Sequence, residues 1–213
     1  INFHKEHEAL ASLTVHPNNH PFDSSLIVTE ILPASNGGMP IHTNRVVKWM
    51  NKEDERLYYR NIVNAGIEMI SPRLLEEARA KLPSLEKVDL DRDVLKPAIE
   101  SGKIYAYETS EYIKDMGTPE RLIEVESDLL SGKIAAHNLS VKQKAIFLDR
   151  DGTINKTSVF LTDVNNFELI DGAAEAIKQI NRSGYLAVVV TNQPVIARGD
   201  CSFEQLQEIH NKM

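Results

Sequence analysis

The sequence contains one cysteine, Cys201, so no disulfide can form within the chain. That usage fits a reducing compartment, and a cytoplasmic location is expected. No apolar run approaches the length of a transmembrane helix. The N-terminal stretch Ile-Asn-Phe-His-Lys-Glu-His-Glu lacks both an initiator methionine and a signal-peptide core. Positive charge is in deficit: 24 Lys and Arg against 31 Asp and Glu leave a net charge of −7, which argues against a nucleic-acid or membrane partner. Repeats and low-complexity tracts are absent as well. What remains is an ordinary soluble composition of 213 residues, 42% hydrophobic and 26% charged, enough for one large domain or two small ones.

The most informative stretch is Lys144-Ala145-Ile146-Phe147-Leu148-Asp149-Arg150-Asp151-Gly152-Thr153. Four apolar residues run into two carboxylates. A short unbroken apolar run suits a strand buried on both faces of a parallel sheet. In such sheets the reactive groups sit just past the carboxyl ends of the strands. Gly152 would let the chain turn beside a ligand. One carboxylate can attack phosphorus as a nucleophile, and the other can protonate the leaving oxygen and then activate water. Two carboxylates beside a phosphate imply a hard cation such as Mg²⁺. Downstream, Asp171 is the expected cap of a helix with Ala174, Ile177 and Ile180 on one face, closed near Gly184. Leu186-Ala187-Val188-Val189-Val190 then reads as a second strand, parallel to the first by a right-handed crossover, ending in Thr191-Asn192-Gln193.

The Asp149-Arg150-Asp151-Gly152-Thr153 stretch resembles the first motif of the haloacid dehalogenase superfamily. The resemblance implies that Asp149 forms an aspartyl-phosphate and binds Mg²⁺, and that Asp151 is the general acid/base, with its backbone carbonyl on the metal. Thr191 matches the second motif and would face Asp149, its hydroxyl on a phosphoryl oxygen. The string from Thr191 and Asn192 through Gln193 to Arg198 and Gly199 is similar to the branch of D,D-heptose 1,7-bisphosphate phosphatases and histidinol phosphatases, which have Ser-Gly where this chain has Pro194-Val195. Asn192 and Gln193 are expected at the substrate. Arg198 is either a phosphate contact or a solvated loop charge.

Upstream, strands are expected around Leu13-Thr14-Val15, Leu26-Ile27-Val28, Val46-Val47-Lys48-Trp49, residues 61–67 and Ile104-Tyr105-Ala106-Tyr107. Ser35-Asn36-Gly37-Gly38 reads as a hairpin-type turn. The small residues in 61–67 suggest that something approaches the backbone closely. Ser71-Pro72 and Thr118-Pro119 read as helix starts, the first helix carrying Leu74, Leu75, Ala78 and Leu82 on its face, the second Leu122, Val125 and Leu129. A helix is expected over 89–101, closed by Gly102. Residues 133–143 are small, polar and aperiodic, and the linker is placed at 137–143. Pro17 and two Asn separate His16 from His20, and with no Cys near, zinc is disfavoured.

Residues 1–136 resemble the C-terminal half of sugar-phosphate nucleotidyltransferases. Asn64-Ala65-Gly66-Ile67 matches a sugar-contacting strand, Asp115-Met116-Gly117-Thr118-Pro119 a loop whose Asp binds Mg²⁺, and Lys52 a lysine that holds the sugar phosphate. Asn51 stands where that family has Glu. The expected fold is therefore α/β: a partial nucleotidyltransferase domain with a Rossmann-like mixed sheet over 1–136, then the first part of a haloacid dehalogenase-like parallel-sheet domain over 144–213. Both ends read as cut, the last within the helix after Ser202. The implied function is bifunctional. A phosphatase half would act on a sugar bisphosphate, with D-glycero-D-manno-heptose 1,7-bisphosphate the leading candidate. A transferase half would join the sugar 1-phosphate to a nucleoside triphosphate. The alternatives are a phosphatase of histidinol phosphate or a polynucleotide 3′ end, and a front domain that only binds sugar nucleotides or oligomerises the enzyme. Homo-oligomerisation is left open.

Overall fold

The structure is a computed structural model that describes residues 1–18, 20–32, 40–82, 87–157 and 160–213. The turn expected at 35–38 lies outside the described residues. The chain separates into two compact units: Ile1–Glu55 with Arg60–Thr109, and Arg56–Tyr59 with Ser110–Met213. The division between Thr109 and Ser110 falls ahead of the linker expected at 137–143.

The first unit opens with a short helix, α1 (Asn2–Glu6), and then β1 (Ala11–His16). Leu13 and Val15 are fully buried, while Thr14 and His16 between and after them are only partly covered; that two-residue alternation is what a one-sided strand needs. β2 (Leu26–Leu32), β3 (Ile41–Met50), β4 (Val63–Ile70) and β5 (Ile104–Glu108) complete a closed barrel in the order β1-β4-β2-β3-β5. β1 runs parallel to β5 and antiparallel to β4, and β3 meets β5 at Arg45 and Tyr105 to close the ring. Leu13, Val15, Val46, Trp49, Ile104 and Ala106 belong to one apolar cluster that also takes in Leu74, Val94 and Leu95 from beyond the strands. α2 (Pro72–Lys81) follows Ser71, which stands at the cap position without a side-chain hydrogen bond; Leu74 is buried but Leu75 is half exposed.

Two stretches of this unit depart from what their sequence suggests. Residues 90–101 do not form one regular helix: a π turn (Leu90–Leu95), α3 (Lys96–Ala98) and a 3₁₀ turn (Ile99–Ser101) follow one another. Pro97 lacks the N–H that a regular ladder would need at that point. In β4, nothing approaches within 4 Å of the position a Cβ on Gly66 would take. The register jumps from Leu13↔Glu68 to Val15↔Asn64, so the small residues form a bulge, and Gly66 is required for its φ of +69°. The Asn64 side chain spans that bulge, accepting from the Gly66 N–H at 3.3 Å and donating to Glu68 at 3.2 Å.

The second unit holds α4 (Pro119–Leu130), capped by the Thr118 hydroxyl, and α5 (Lys133–Ala136). Leu122 and Leu129, expected on a covered face, are exposed, and α4 has no buried residue. The segment expected as aperiodic linker from 133 begins with the α5 turn, and a Cβ on Gly184 would lie 3.0 Å from the Ala136 Cβ. β6 (Ala145–Leu148) and β7 (Leu186–Val189) form a parallel pair, joined by α6 (Ala173–Arg182). The cap of α6 is Gly172 in the left-handed region, not Asp171. α7 (Pro194–Arg198) and α8 (Phe203–Lys212) end the chain. Ser202 and Gln205 form a reciprocal capping box at the start of α8, and Ile209 is fully buried beside Leu161 and Phe167.

Candidate active site

The site is built from the two strand ends. Leu148 pairs with Val189, and the Val190 N–H donates to the Leu148 carbonyl at 2.8 Å, so Asp149 emerges level with Val190 and Thr191 one residue farther on. The chain then turns. Gly152 adopts φ +77° and donates to the Asn155 carbonyl at 2.8 Å, while the Arg150 carbonyl accepts from Ile154 at 2.8 Å and Asn155 at 3.1 Å. This knot of main-chain hydrogen bonds fixes where Asp151 and Asn155 stand.

The Asp151 carboxylate is the centre of the arrangement. Arg150 grips it with two donors, Nε to Oδ1 at 3.0 Å and Nη2 to Oδ2 at 2.8 Å. Asn155 Nδ2 donates to Oδ1 at 3.0 Å, and Gln193 Nε2 to Oδ2 at 2.9 Å. The same Gln193 nitrogen donates to the Thr191 hydroxyl oxygen at 2.8 Å. One amide therefore ties the loop after β6 to the loop after β7. Burial alone would raise the Asp151 pKa, but the hydrogen bonds from Arg150, Gln193 and Asn155 outweigh it, and the carboxyl lies below its ordinary value. Arg150 and Asn155 are completely buried, whereas Asp151 keeps 23% of its side chain accessible. On its far side Arg150 Nη1 meets His210 Nε2 of α8 at 3.3 Å. Burial, then the nearby Arg150 charge, pushes the His210 pKa down, and Asp151 partly opposes this.

Asp149 is exposed, with Oδ1 accepting from the Arg150 N–H at 2.7 Å. Among the described residues no hydrogen bond joins it to Thr191; Thr191 reaches Asp151 instead, through Gln193. Since Thr191 Oγ1 accepts there, its own proton is free to be donated elsewhere. Asn192 is exposed. Arg198 lies over the Phe160 ring at 4.2 Å and pairs with Asp200 at 2.9 Å, both on the surface. Among the described residues no group of three or more His, Cys, Asp or Glu side chains is arranged to hold a metal. The donors at hand are oxygens: the open Asp149 carboxylate and main-chain carbonyls. Mg²⁺ commonly binds through one or two carboxylates and completes its shell with waters and phosphate oxygens, so this donor set fits it.

No protein-family model matches the chain. Curated relatives do. The chain is 46% identical over 67 residues to the D-glycero-beta-D-manno-heptose-1,7-bisphosphate 7-phosphatase of Haemophilus ducreyi, covering 32% of this chain and 37% of that protein. It is 48% identical to the protein of the same name from Pasteurella multocida, over 32% and 36%, and 49% identical to that of Escherichia coli K12, over 30% and 35%. About a third of the chain is similar to proteins named as sugar-bisphosphate phosphatases. The chain spans little more than a third of the length of these relatives.

The remaining expected residues are not gathered at this site. Lys52, Asn64 and Gly66 belong to the first unit and Asp115 to the second. Lys52 and Glu53 are exposed and 3.8 Å apart. Asp115 is exposed, accepting from the Gly117 N–H at 2.8 Å and pairing with Arg121. The names of these relatives do not mention nucleotidyl transfer. His4 bonds Ser12, His7 the Phe3 carbonyl and His20 Asp23. No described helix is long and apolar enough to cross a membrane. Reading the sequence missed Arg150, Asn155 and His210. Arg150 offered a signal, as a cation between two carboxylates at a strand end. Asn155 and His210 offered none, because only the turn and the packing of α8 bring them in.

Proposed function

We propose that this protein is a Mg²⁺-dependent phosphatase of a sugar bisphosphate, D-glycero-D-manno-heptose 1,7-bisphosphate. The observation that carries the reading is Gln193 bridging Asp151 and Thr191 across the ends of two parallel strands, with the Asp149 carboxylate open beside them. The names of the relatives supply the substrate. In this reading a carboxylate oxygen of Asp149 attacks phosphorus and the bond to the sugar oxygen breaks, leaving an aspartyl-phosphate. The departing oxygen takes a proton from Asp151. Asp151 then takes a proton from water, whose oxygen attacks phosphorus and frees Asp149. Its four donors favour the ionised form, which suits the second step; to act as acid it must exchange a donor contact for a proton. The Thr191 hydroxyl donates to a phosphoryl oxygen, and Asn192 and Arg198 are assigned to the substrate. Mg²⁺, held by the Asp149 carboxylate and the Asp151 main-chain carbonyl, would neutralise charge on the transferring group. The test is Mg²⁺-dependent phosphate release from the heptose bisphosphate by the full-length natural protein, with histidinol phosphate and a 3′-phosphorylated oligonucleotide as competing substrates. Release only from another substrate would replace the sugar.

The nucleotidyltransferase reading of residues 1–136 is a separate proposal, with Lys52, Asn64 and Gly66 at the sugar phosphate, Asp115 at Mg²⁺ and a nucleoside triphosphate as co-substrate. The left-handed Gly66 and the Asn64 side chain folded over it give that strand an exposed polar corner suited to a sugar hydroxyl. Asp115 would have to give up Arg121 to take a metal. Asp115→Ala in the full-length protein should abolish nucleotide transfer and spare phosphate release. Loss of both, or of neither, counts against the assignment.

A further inference from the structure

We propose that His210 is a positioning residue for Asp151, acting through Arg150: it accepts a hydrogen bond from the guanidinium and thereby holds the fork that grips the carboxylate. The consequence for catalysis rests on the phosphatase reading; the linkage itself does not.

An arginine side chain carries only donors. At 3.3 Å from Arg150 Nη1, His210 Nε2 must therefore be the acceptor, which puts the ring proton of the neutral imidazole on Nδ1. An imidazolium there would set a second positive charge against a guanidinium that is completely buried. Arg150 touches acceptors on two sides only in the described contacts: both Asp151 oxygens and His210. Removing the His210 contact leaves a buried donor unsatisfied and lets the planar group rotate in search of another partner. Rotation breaks the two-point grip, since Nε and Nη2 match the two oxygens in one orientation only.

The helix that presents His210 is firmly held. Its first turn is closed by the Ser202–Gln205 box, Ile209 is buried beside Leu161 and Phe167, and Lys212 donates to the Val164 carbonyl at 2.8 Å. His210 is thus a fixed post, 60 residues along the chain from the loop that it steadies. A proton-transfer group must stay within hydrogen-bond reach of the reacting atoms, so rigidity at Asp151 has a direct use.

The first measurement uses the ¹⁵N-labelled wild-type protein. Its His210 ring should show a bare Nε2 and a protonated Nδ1 near neutral pH, and the Arg150 Nε–H should be slow to exchange. The second compares His210→Leu, which removes the acceptor at similar volume, with His210→Gln, whose amide oxygen can accept from Nη1. His210→Leu should lower kcat roughly 10–100-fold with KM little changed, the usual cost of losing the partner that orients a catalytic ligand. It should also lose the slow Arg150 signal, and His210→Gln should restore both. A His210 protonated on Nε2, or a His210→Leu protein with unchanged kcat and Arg150 signal, overturns the proposal. If His210→Leu does not fold, the wild-type ring spectrum still decides. If the wild-type protein releases no phosphate, the phosphatase reading falls and the nitrogen spectra alone judge the linkage.

Discussion

Replacing Asp151 with asparagine removes a charge and also an acceptor. The native carboxylate receives four hydrogen bonds, two on each oxygen, from Arg150, Asn155 and Gln193. An asparagine keeps one oxygen and puts an NH₂ where the other stood. In either orientation two donors then face a donor, and the buried guanidinium loses its counter-charge. Removing one partner of a buried ion pair costs about 3–5 kcal/mol; Asp151 keeps some water access, so about 3 kcal/mol is expected. Asp149→Asn is the control. Asp149 is exposed, its one described contact is the Arg150 N–H, and an amide oxygen can keep it, so its cost should stay within about 0.5 kcal/mol. Both variants should abolish phosphate release, but only Asp151→Asn should loosen the turn. The assay is hydrogen exchange at the amides of Ile154 and Asn155, which donate to the Arg150 carbonyl. A loss of about 3 kcal/mol speeds exchange roughly a hundredfold. Adding Arg150→Met to Asp151→Asn removes the stranded cation and should recover part of the protection. Equal exchange in Asp149→Asn and Asp151→Asn would refute the account of Asp151 as the structural keystone of the loop.

Further outcomes are expected. Gly152→Ala meets no steric obstacle, the nearest atom being the Thr157 Cγ2 at 3.9 Å, so its cost is the left-handed backbone alone, about 1–2 kcal/mol, read as a lower melting temperature and reduced phosphate release; a melting temperature equal to wild type would count against it. In the first unit His4, His16 and His42 all have pKa values below 6.5, burial being the largest cause in each. Between those values and 6.5 the unfolded chain binds more protons at these three sites, so the stability that they contribute is full above 6.5 and declines as pH falls below it. Trp49, the single tryptophan and buried in the barrel, reports this unit alone: its urea midpoint should be lower near pH 5.5 than near pH 7.5, and an equal or higher midpoint at the acid end would contradict the sign.

Most of what the sequence determined is local. The alternation of Ala11 to His16, the unbroken run before Asp149 and the second run before Thr191 carry strands in their own composition, but the burial on both faces expected of the run before Asp149 does not follow from it: Ile146 and Phe147 are exposed. Ser202 with Gln205 and Thr118 before Pro119 carry helix starts in their own side-chain chemistry. The pair of carboxylates after a strand was legible for the same reason: neighbours in sequence remain neighbours in space. Closure of the first five strands into a barrel was not, since it depends on which edges find each other, and no single strand carries that information. The bulge at Gly66 looked like close approach because a small residue is equally suited to both, and only the register separates them. Fine charge placement was hidden likewise. Arg150 shows in the sequence only as a cation between two carboxylates, and its grip on Asp151 comes with the turn at Gly152; His210 carries no signal until α8 packs. Contacts between residues 60 positions apart follow from the packing of whole elements, and that is what the tertiary structure alone decided.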